Sequence, residues 1–135
     1  MADVIFKDFT IEVQNCIDDT INAVLEDCAG ELESQTKQNT RVDTSQTKNN
    51  WRHHIDDKKH IATVGNPLEN SIWEEFGTGE YALEGNGRKG GWFYEDEEGN
   101  GHFTHGKKPS RAFWNAFTSL KSQIINHIQN SLKGL

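Results

Sequence analysis

Cysteine and proline are scarce in this chain, and no long apolar run occurs in it: 135 residues hold two cysteines, two prolines and one methionine. Without some eighteen consecutive apolar residues there is no helix for crossing a membrane, and the mean hydropathy of -0.80 points the same way. The first segment, Met1 to Val13, is interrupted by Asp3, Lys7, Asp8 and Glu12, so it lacks the apolar stretch of a signal peptide and a cytoplasmic product is expected. Only 33% of the residues are hydrophobic, a thin core for one domain of this length. Net charge is -7 with the bases scattered, which excludes a protein that coats nucleic acid through bulk positive charge.

The chemical signatures that are missing narrow the field further. Cys16 and Cys28 fall on one helical stretch, roughly 18 Å apart at 1.5 Å per residue, beyond disulfide reach and without ligand partners at metal spacing. No G-x-S-x-G, H-E-x-x-H or paired C-x-x-C occurs. The glycine-rich run Gly85 to Gly91 lacks the G-K-[ST] ending of a phosphate loop and precedes a strand. Six histidines are present, and His102 with His105 beside nearby carboxylates is the best candidate metal pair; Asp56 or Asp57 near His53 and His54 is a second. Hairpin histidines on a solvated strand are the commoner case, so no catalytic residue, metal or cofactor is assigned.

What is present is periodicity. Phe9, Val13, Ile17, Ile21, Val24, Cys28 and Leu32 recur every three or four residues, which predicts a helix over 10–38 with Thr10 as its N-cap, after a short extended piece at Val4 to Lys7. Trp51, His53 and Ile55 alternate with polar residues and lead through a charged turn into Ile61 to Val64, so a hairpin is expected over 48–64. Asn66-Pro67-Leu68-Glu69 carries a cap residue, a proline at the first helical position and an acid three residues on, predicting a short helix over 67–76 that Gly77 stops. Six glycines in 77–91 read as a long mobile loop; a second hairpin is expected over 92–105 around the Glu98 to Gly101 turn, and a second long helix over 110–133. The expected fold is therefore α+β and a single domain spanning 1–135. A small antiparallel β-sheet is packed by a long N-terminal helix and a C-terminal helix, with a short helix and the long glycine-rich loop between strands.

Charge is uneven. Residues 1–34 carry nine acids against Lys7, whereas residues 101–135 carry Lys107, Lys108, Arg111, Lys121 and Lys133 with no acid. Oppositely charged helix faces within one subunit are the simpler reading; head-to-tail stacking of copies is the alternative. A thin core, exposed aromatics and opposite-signed ends suit a subunit that completes itself against partners.

Three segments in order resemble one family. Arg41-Val42-Asp43-Thr44, followed by Asn49 to Ile55, which contains Trp51, resembles a VDT-G-x-L-x-x-S box. Ile72-Trp73-Glu74-Glu75-Phe76-Gly77-Thr78-Gly79 resembles Y-V-E-[YF]-G-T-G, and Gly106 to Phe117, containing Pro109 and Phe113, is similar to G-x-K-P-x-P-F-L-x-P-A. Departures are Ser45 for a glycine, Ser110-Arg111-Ala112 at the entry to the last helix and Asn115 for a proline. The family is that of the head-tail joining proteins of long-tailed bacteriophages, also called neck or tail-completion proteins and named after the tenth gene product of an HK-type phage. The resemblance implies a non-enzymatic virion protein made in the bacterial cytoplasm and sited at the head-tail junction. It implies a ring, commonly a hexamer, between the head-closure or connector proteins and the tail tube or tail terminator, with DNA passing through the lumen without specific binding and no membrane. Assembly candidates on this reading are Glu74, Glu75, Phe76, Gly77, Thr78, Gly79, Arg88, Lys89, Trp92, Lys107, Lys108 and Arg111. Val42, Asp43, Thr44, Trp51, Pro109 and Phe113 are structural, and loop 79–91 is expected to order on docking. Two other functions stand beside it: a small metal-dependent nuclease or hydrolase using His102 and His105, and a phage protein that binds a host partner through the glycine loop.

Overall fold

A computed structural model describes residue 8, residues 10–41 and residues 45–135. The order is α1 (Thr10–Asn39), α2 (Ser45–Asn49), β1 (Arg52–Asp56), β2 (Ile61–Gly65), α3 (Asn70–Phe76), a 3₁₀ turn (Gly79–Tyr81), β3 (Trp92–Glu95), β4 (Gly101–Thr104) and α4 (Ala112–Lys133). The class is α+β, as the periodicities indicate. The expected extended piece at Val4 to Lys7, Phe9, and the Val42-Asp43-Thr44 motif lie outside the described residues.

Helix α1 is about 45 Å long at 1.5 Å per residue. Thr10 is its first residue and not its cap: Asp8 Oδ1 accepts the Thr10 amide at 2.8 Å and also bonds the Thr10 hydroxyl, so the carboxylate two residues upstream takes the orphan donor. These bonds hold the Asp8 carboxyl below its usual range, the hydroxyl contributing most. Helices α1 and α4 run antiparallel, with Asn39 Nδ2 donating to the Ala112 carbonyl at one end and His127 beside Asp27 further along. Small residues allow the close approach: Ala29 on α1, Ala112 and Ala116 on α4, all buried. The core is Leu32, Ala116 and Leu120, with Val64, Phe113, Phe117 and Ile124 packed against it.

The apolar stripes of the two helices extend beyond that core. Val24, Cys28 and Leu32 are buried, yet Val13 is 54% exposed and Leu132 43%. Burial raises the Cys28 thiol above its ordinary range, with Glu31 and Asp27 adding to it.

The strands do not form one sheet. They make two separate antiparallel hairpins, one pairing His53 with Val64 and Ile55 with Ala62, the other pairing Phe93 with Phe103 and Tyr94 with His102. The first hairpin lies on α1, with His53, Ile55, Ala62 and Val64 turned inward and Arg52, His54, Ile61 and Thr63 exposed. The second has no broad contact with any helix or with the first hairpin among the described residues.

Polar contacts fasten the first hairpin to the acidic face of α1. His53 Nε2 lies 2.6 Å from Glu26 Oε1 and its Nδ1 3.0 Å from Glu33 Oε2; His60 reaches Asp18 and Asn22 at 3.1 and 3.0 Å. Two carboxylates facing both nitrogens of one imidazole suit the imidazolium, which donates from each. The Glu26 hydrogen bond accordingly raises the His53 pKa above its ordinary value, against the opposing effect of burial.

Helix α3 starts at Asn70, three residues later than Asn66-Pro67 suggests. Asn66 spends its side chain elsewhere, Oδ1 accepting the Leu68 amide at 3.0 Å and Nδ2 donating to the Thr47 carbonyl at 2.8 Å. Its turn delays the helix. Helix α4 likewise starts at Ala112 and not at Ser110, because Arg111 adopts a left-handed φ of 54°. The stretch expected as a long mobile loop, 77–91, opens with the 3₁₀ turn. Within it the Glu80 amide donates to the His105 carbonyl at 2.9 Å and the Leu83 amide to the Phe76 carbonyl at 3.0 Å.

A raised histidine pKa stabilises the folded chain while the imidazole is protonated. That contribution is complete below the unfolded value of roughly 6.5 and is lost as pH rises through the folded one. The Tm of the purified chain is therefore expected to fall as pH is raised across this range, and His53→Gln to flatten the fall. Thermal unfolding followed by circular dichroism at a series of pH values checks it, and an equal slope in the variant would contradict it.

Candidate functional site

The second and third sequence boxes meet in space. Helix α3 ends beside the loop 105–111 that leads into α4, and each element supplies what the other lacks. The first four amides of α4 have no partner inside the helix. Glu75 on α3 serves two of them: its Oε2 accepts the Phe113 amide at 3.1 Å and its Oε1 the Trp114 amide at 3.0 Å. The negative charge also faces the positive end of the helix dipole. A residue 38 positions upstream of Phe113 thus caps the last helix, while Arg111, at the N-cap position itself, makes no side-chain cap bond.

Arg111 is bound up in the same junction. Its guanidinium lies over the rings of Phe76 and Trp114, 5.2 and 5.3 Å from their centroids. Nη1 is 3.8 Å from Glu75 Oε1, and it is buried without a hydrogen-bond partner. Glu74 pairs with the Lys107 ammonium, and its carbonyl accepts the Ser110 amide at 2.8 Å. Thr78 donates its amide to the Lys107 carbonyl at 2.9 Å and accepts the Lys107 amide on its hydroxyl at 2.8 Å.

The two central glycines are sterically required here. Gly77 has φ 78°, and a Cβ there would sit 2.9 Å from both the Lys107 carbonyl and Pro109 Cδ. Gly79 has φ 60°, and a Cβ there would run into the His105 carbonyl and come within 2.9 Å of Trp92. Pro109 and Trp92 are thus placed by the glycines they touch.

Around this junction lies an open apolar groove of about 600 Å³, with Trp51, Leu68, Ile72, Phe76, Phe113 and Trp114 among its walls and Arg111 and Glu75 at its side. Trp51 stacks on Phe113, centroids 5.8 Å apart and planes 11° apart, and its indole N–H donates to the Thr40 hydroxyl at 2.9 Å. An adjoining groove of about 400 Å³ shares Val64, Phe113 and Trp114 and runs between α1 and α4.

The remaining assembly candidates are more dispersed. The Arg88 guanidinium lies over Trp92 and the Lys108 ammonium over Tyr81, while the Lys108 carbonyl accepts from Arg41 at 2.6 Å. Lys89 is exposed. The structure therefore brings Glu74, Glu75, Phe76, Gly77, Thr78, Gly79, Lys107, Pro109, Arg111 and Phe113 together and leaves Arg88, Lys89 and Lys108 at its margins. Trp114 and Ile72, which no sequence pattern singles out as site residues, line the groove.

The candidate metal residues are not brought to one centre. His102 Nε2 lies 2.8 Å from Asp96 and His105 Nδ1 3.2 Å from Glu80, each histidine with its own carboxylate. The His102 bond, followed by the Asn100 amide, holds the Asp96 carboxyl below its usual range. Asp56 accepts the Lys58 and Lys59 amides within the hairpin turn. Among the described residues no group of three or more His, Cys, Asp or Glu is placed to hold a metal ion, and no helix is long and apolar enough to cross a membrane.

The described residues thus present a helix-and-hairpin scaffold with an apolar, aromatic groove beside a polar junction. Residues 10–77 match the family model described as "Bacteriophage HK97-gp10, putative tail-component". The chain belongs to this HK97-gp10-like family of phage tail components, and it is a phage structural protein whose work lies in contacts with other virion proteins. That membership fits a non-enzymatic role. The matched span holds α1, the first hairpin and α3; the second hairpin and α4 lie beyond it. No curated protein matches the chain. No solved structure matches it.

The junction is expected to be the main support of α4's first turn. Glu75→Ala, which leaves two amides without an acceptor, should cost about 1 to 2 kcal/mol. Glu75→Gln, which keeps one carbonyl oxygen, should cost less. Urea unfolding of the purified variants measures both, and an Ala variant as stable as the parent would show that the contact carries nothing.

Proposed function

We propose that this tail component is the neck or tail-completion subunit. Several copies, six on the family resemblance, form a ring between the head's connector or head-closure proteins and the tail tube or terminator. The observation that carries the reading is the direct union of the Glu74 to Gly79 box with the Gly106 to Phe117 box. Those are the two segments whose resemblance to head-tail joining proteins reaches past the matched span, and here they form one cap-and-groove unit through Glu75, Thr78 and Lys107.

Charge supports the same role. On α1, Glu12, Asp19 and Glu31 are exposed, apart from the histidine pairs made by Asp18, Glu26 and Asp27, and present an acidic surface past which DNA slides without being held if it lines the ring. Phe76, Arg88, Lys89, Trp92, Lys108 and Arg111 remain the residues for contacts with neighbouring rings, and the virion's head-tail junction is the site of action.

The test is made in the phage. Mass spectrometry of purified particles is expected to find the chain at a few copies per virion. Its deletion should leave filled heads and complete tails that do not join, visible by electron microscopy. Infectious particles assembled without it would overturn the reading.

A further inference from the structure

Packing alone holds the first hairpin on α1 weakly. None of the five residues in either strand is fully buried, and of them only Val64 packs against the core of Leu32, Ala116 and Leu120. The hairpin's root is fixed by groups that do not titrate. The Trp51 indole N–H donates to the Thr40 hydroxyl at 2.9 Å while its ring stacks on Phe113, and Asn66 Nδ2 donates to the Thr47 carbonyl at 2.8 Å. Beyond the root, apart from a long 3.4 Å bond from Asn22 Nδ2 to the Asp57 carbonyl, the polar hold passes through two histidines. His53 bridges Glu26 and Glu33, and His60, in the turn with a left-handed φ of 55°, reaches Asp18 and Asn22.

We propose that the first hairpin is a flap held on α1 by the charged His53 ring, and that loss of its proton lets the strands lift about their root while the α1–α4 core stays folded. The argument is one of donors and acceptors. A neutral imidazole has one N–H and one bare nitrogen, whereas both nitrogens of His53 face carboxylate oxygens, at 2.6 and 3.0 Å. No tautomer satisfies both: one contact turns from a charged hydrogen bond into a lone pair set against an anion. His60 is different. Its second partner is the Asn22 amide, which by a half-turn of its side chain presents a donor to a bare nitrogen, so a neutral His60 keeps its place while donating to Asp18. His53 is therefore the group that senses the proton.

The surroundings leave His53 to those two acids. From α1 the ring faces Glu26, Glu33 and Gly30, where a Cβ would lie 3.9 Å from its Cε1. Lys37 bears on it through Glu33, at 3.7 Å, and Asp27 pairs with His127 of α4. Opposite it in the hairpin stands Val64, which carries no charge. The Glu26 hydrogen bond outweighs burial and lifts the His53 pKa above its ordinary value. The hold is thus complete below roughly 6.5 and is lost as pH rises through the folded value. Trp51 and Val64 line the larger groove and Ala62 and Val64 the smaller, so lifting the strands takes a wall from both. One proton then sets the shape of the contact surface, whatever that surface meets.

Amide hydrogen exchange of the full chain, corrected for the intrinsic effect of pH on exchange, tests this at about pH 6 and about pH 8.5, either side of the histidine range. The amides of 52–56 and 61–65 are expected to lose roughly tenfold in protection at the higher pH, the order of one hydrogen bond to a charged group, while those of 113–133 keep theirs. Glu33→Gln supplies an amide that donates to the neutral ring while Glu26 accepts from it. Glu26→Gln does the same from the other side, so each variant is expected to abolish most of the loss. His60→Asn should lower protection at both pH values and leave the loss intact. Circular dichroism at both pH values separates unfolding of a variant from these outcomes, and either amide variant suffices. A parent hairpin equally protected at both pH values would overturn the flap, as would amide variants that lose protection like the parent or a His60 variant that no longer responds. Hairpin and α4 amides that lose protection together would overturn it too, since the transition would then be global.

Discussion

Glu75 ties together segments that lie far apart in the chain. Its carboxylate closes the N-terminus of α4 while its own helix delivers Phe76 to Arg111 and Gly77 to Pro109. Helix α4 must be launched at one angle for Ala116 and Leu120 to meet Leu32 on α1, and that meeting is the core. The groove depends on the same event, because Phe113 and Trp114, whose amides Glu75 holds, form one of its walls. A single half-buried acid thereby couples the folding of the core to the shape of the surface.

The rest follows from a shortage. Few apolar residues are buried, and many large ones remain outside: the outer ends of both helix stripes, Phe93 and Phe103 of the second hairpin and the α3 residues Ile72, Trp73 and Phe76. Polar contacts carry part of the load that a larger core would carry elsewhere, among them the histidine and carboxylate pairs that fasten the first hairpin to α1. A tail component of a phage has neighbours on several sides, and apolar surface that is a liability in a solitary protein becomes contact area among them.

Much of this architecture is legible in the sequence, and the parts that are not share a cause. The stripes from Val13 to Leu32 and from Phe113 to Leu132 announce two long helices, because only a helix returns side chains to one face every 3.6 residues. Alternation around Trp51 to Val64 and the Glu98-to-Gly101 turn announce two hairpins, though not that they stay apart, since sheet membership depends on what each hairpin packs against. Helix starts depart from the local pattern wherever a side chain has a better use: Asp8 displaces Thr10 as acceptor, and Asn66 turns on Leu68 and Thr47. The most consequential contact, Glu75 on α4, leaves no local trace, because its residues are separated by nearly forty positions. The boxes Glu74 to Gly79 and Gly106 to Phe117 are recognisable as motifs; that they form one junction is visible only in three dimensions.

The central claim is that this subunit's exposed aromatic surface is contact surface in the assembled particle. Hydroxyl-radical footprinting of the chain, free in solution and within purified virions, measures that directly through oxidation of Phe93, Phe103, Trp73 and Trp114. The account predicts strong labelling of all four in the free chain and protection of most of them in the virion. Equal labelling in both states would contradict it.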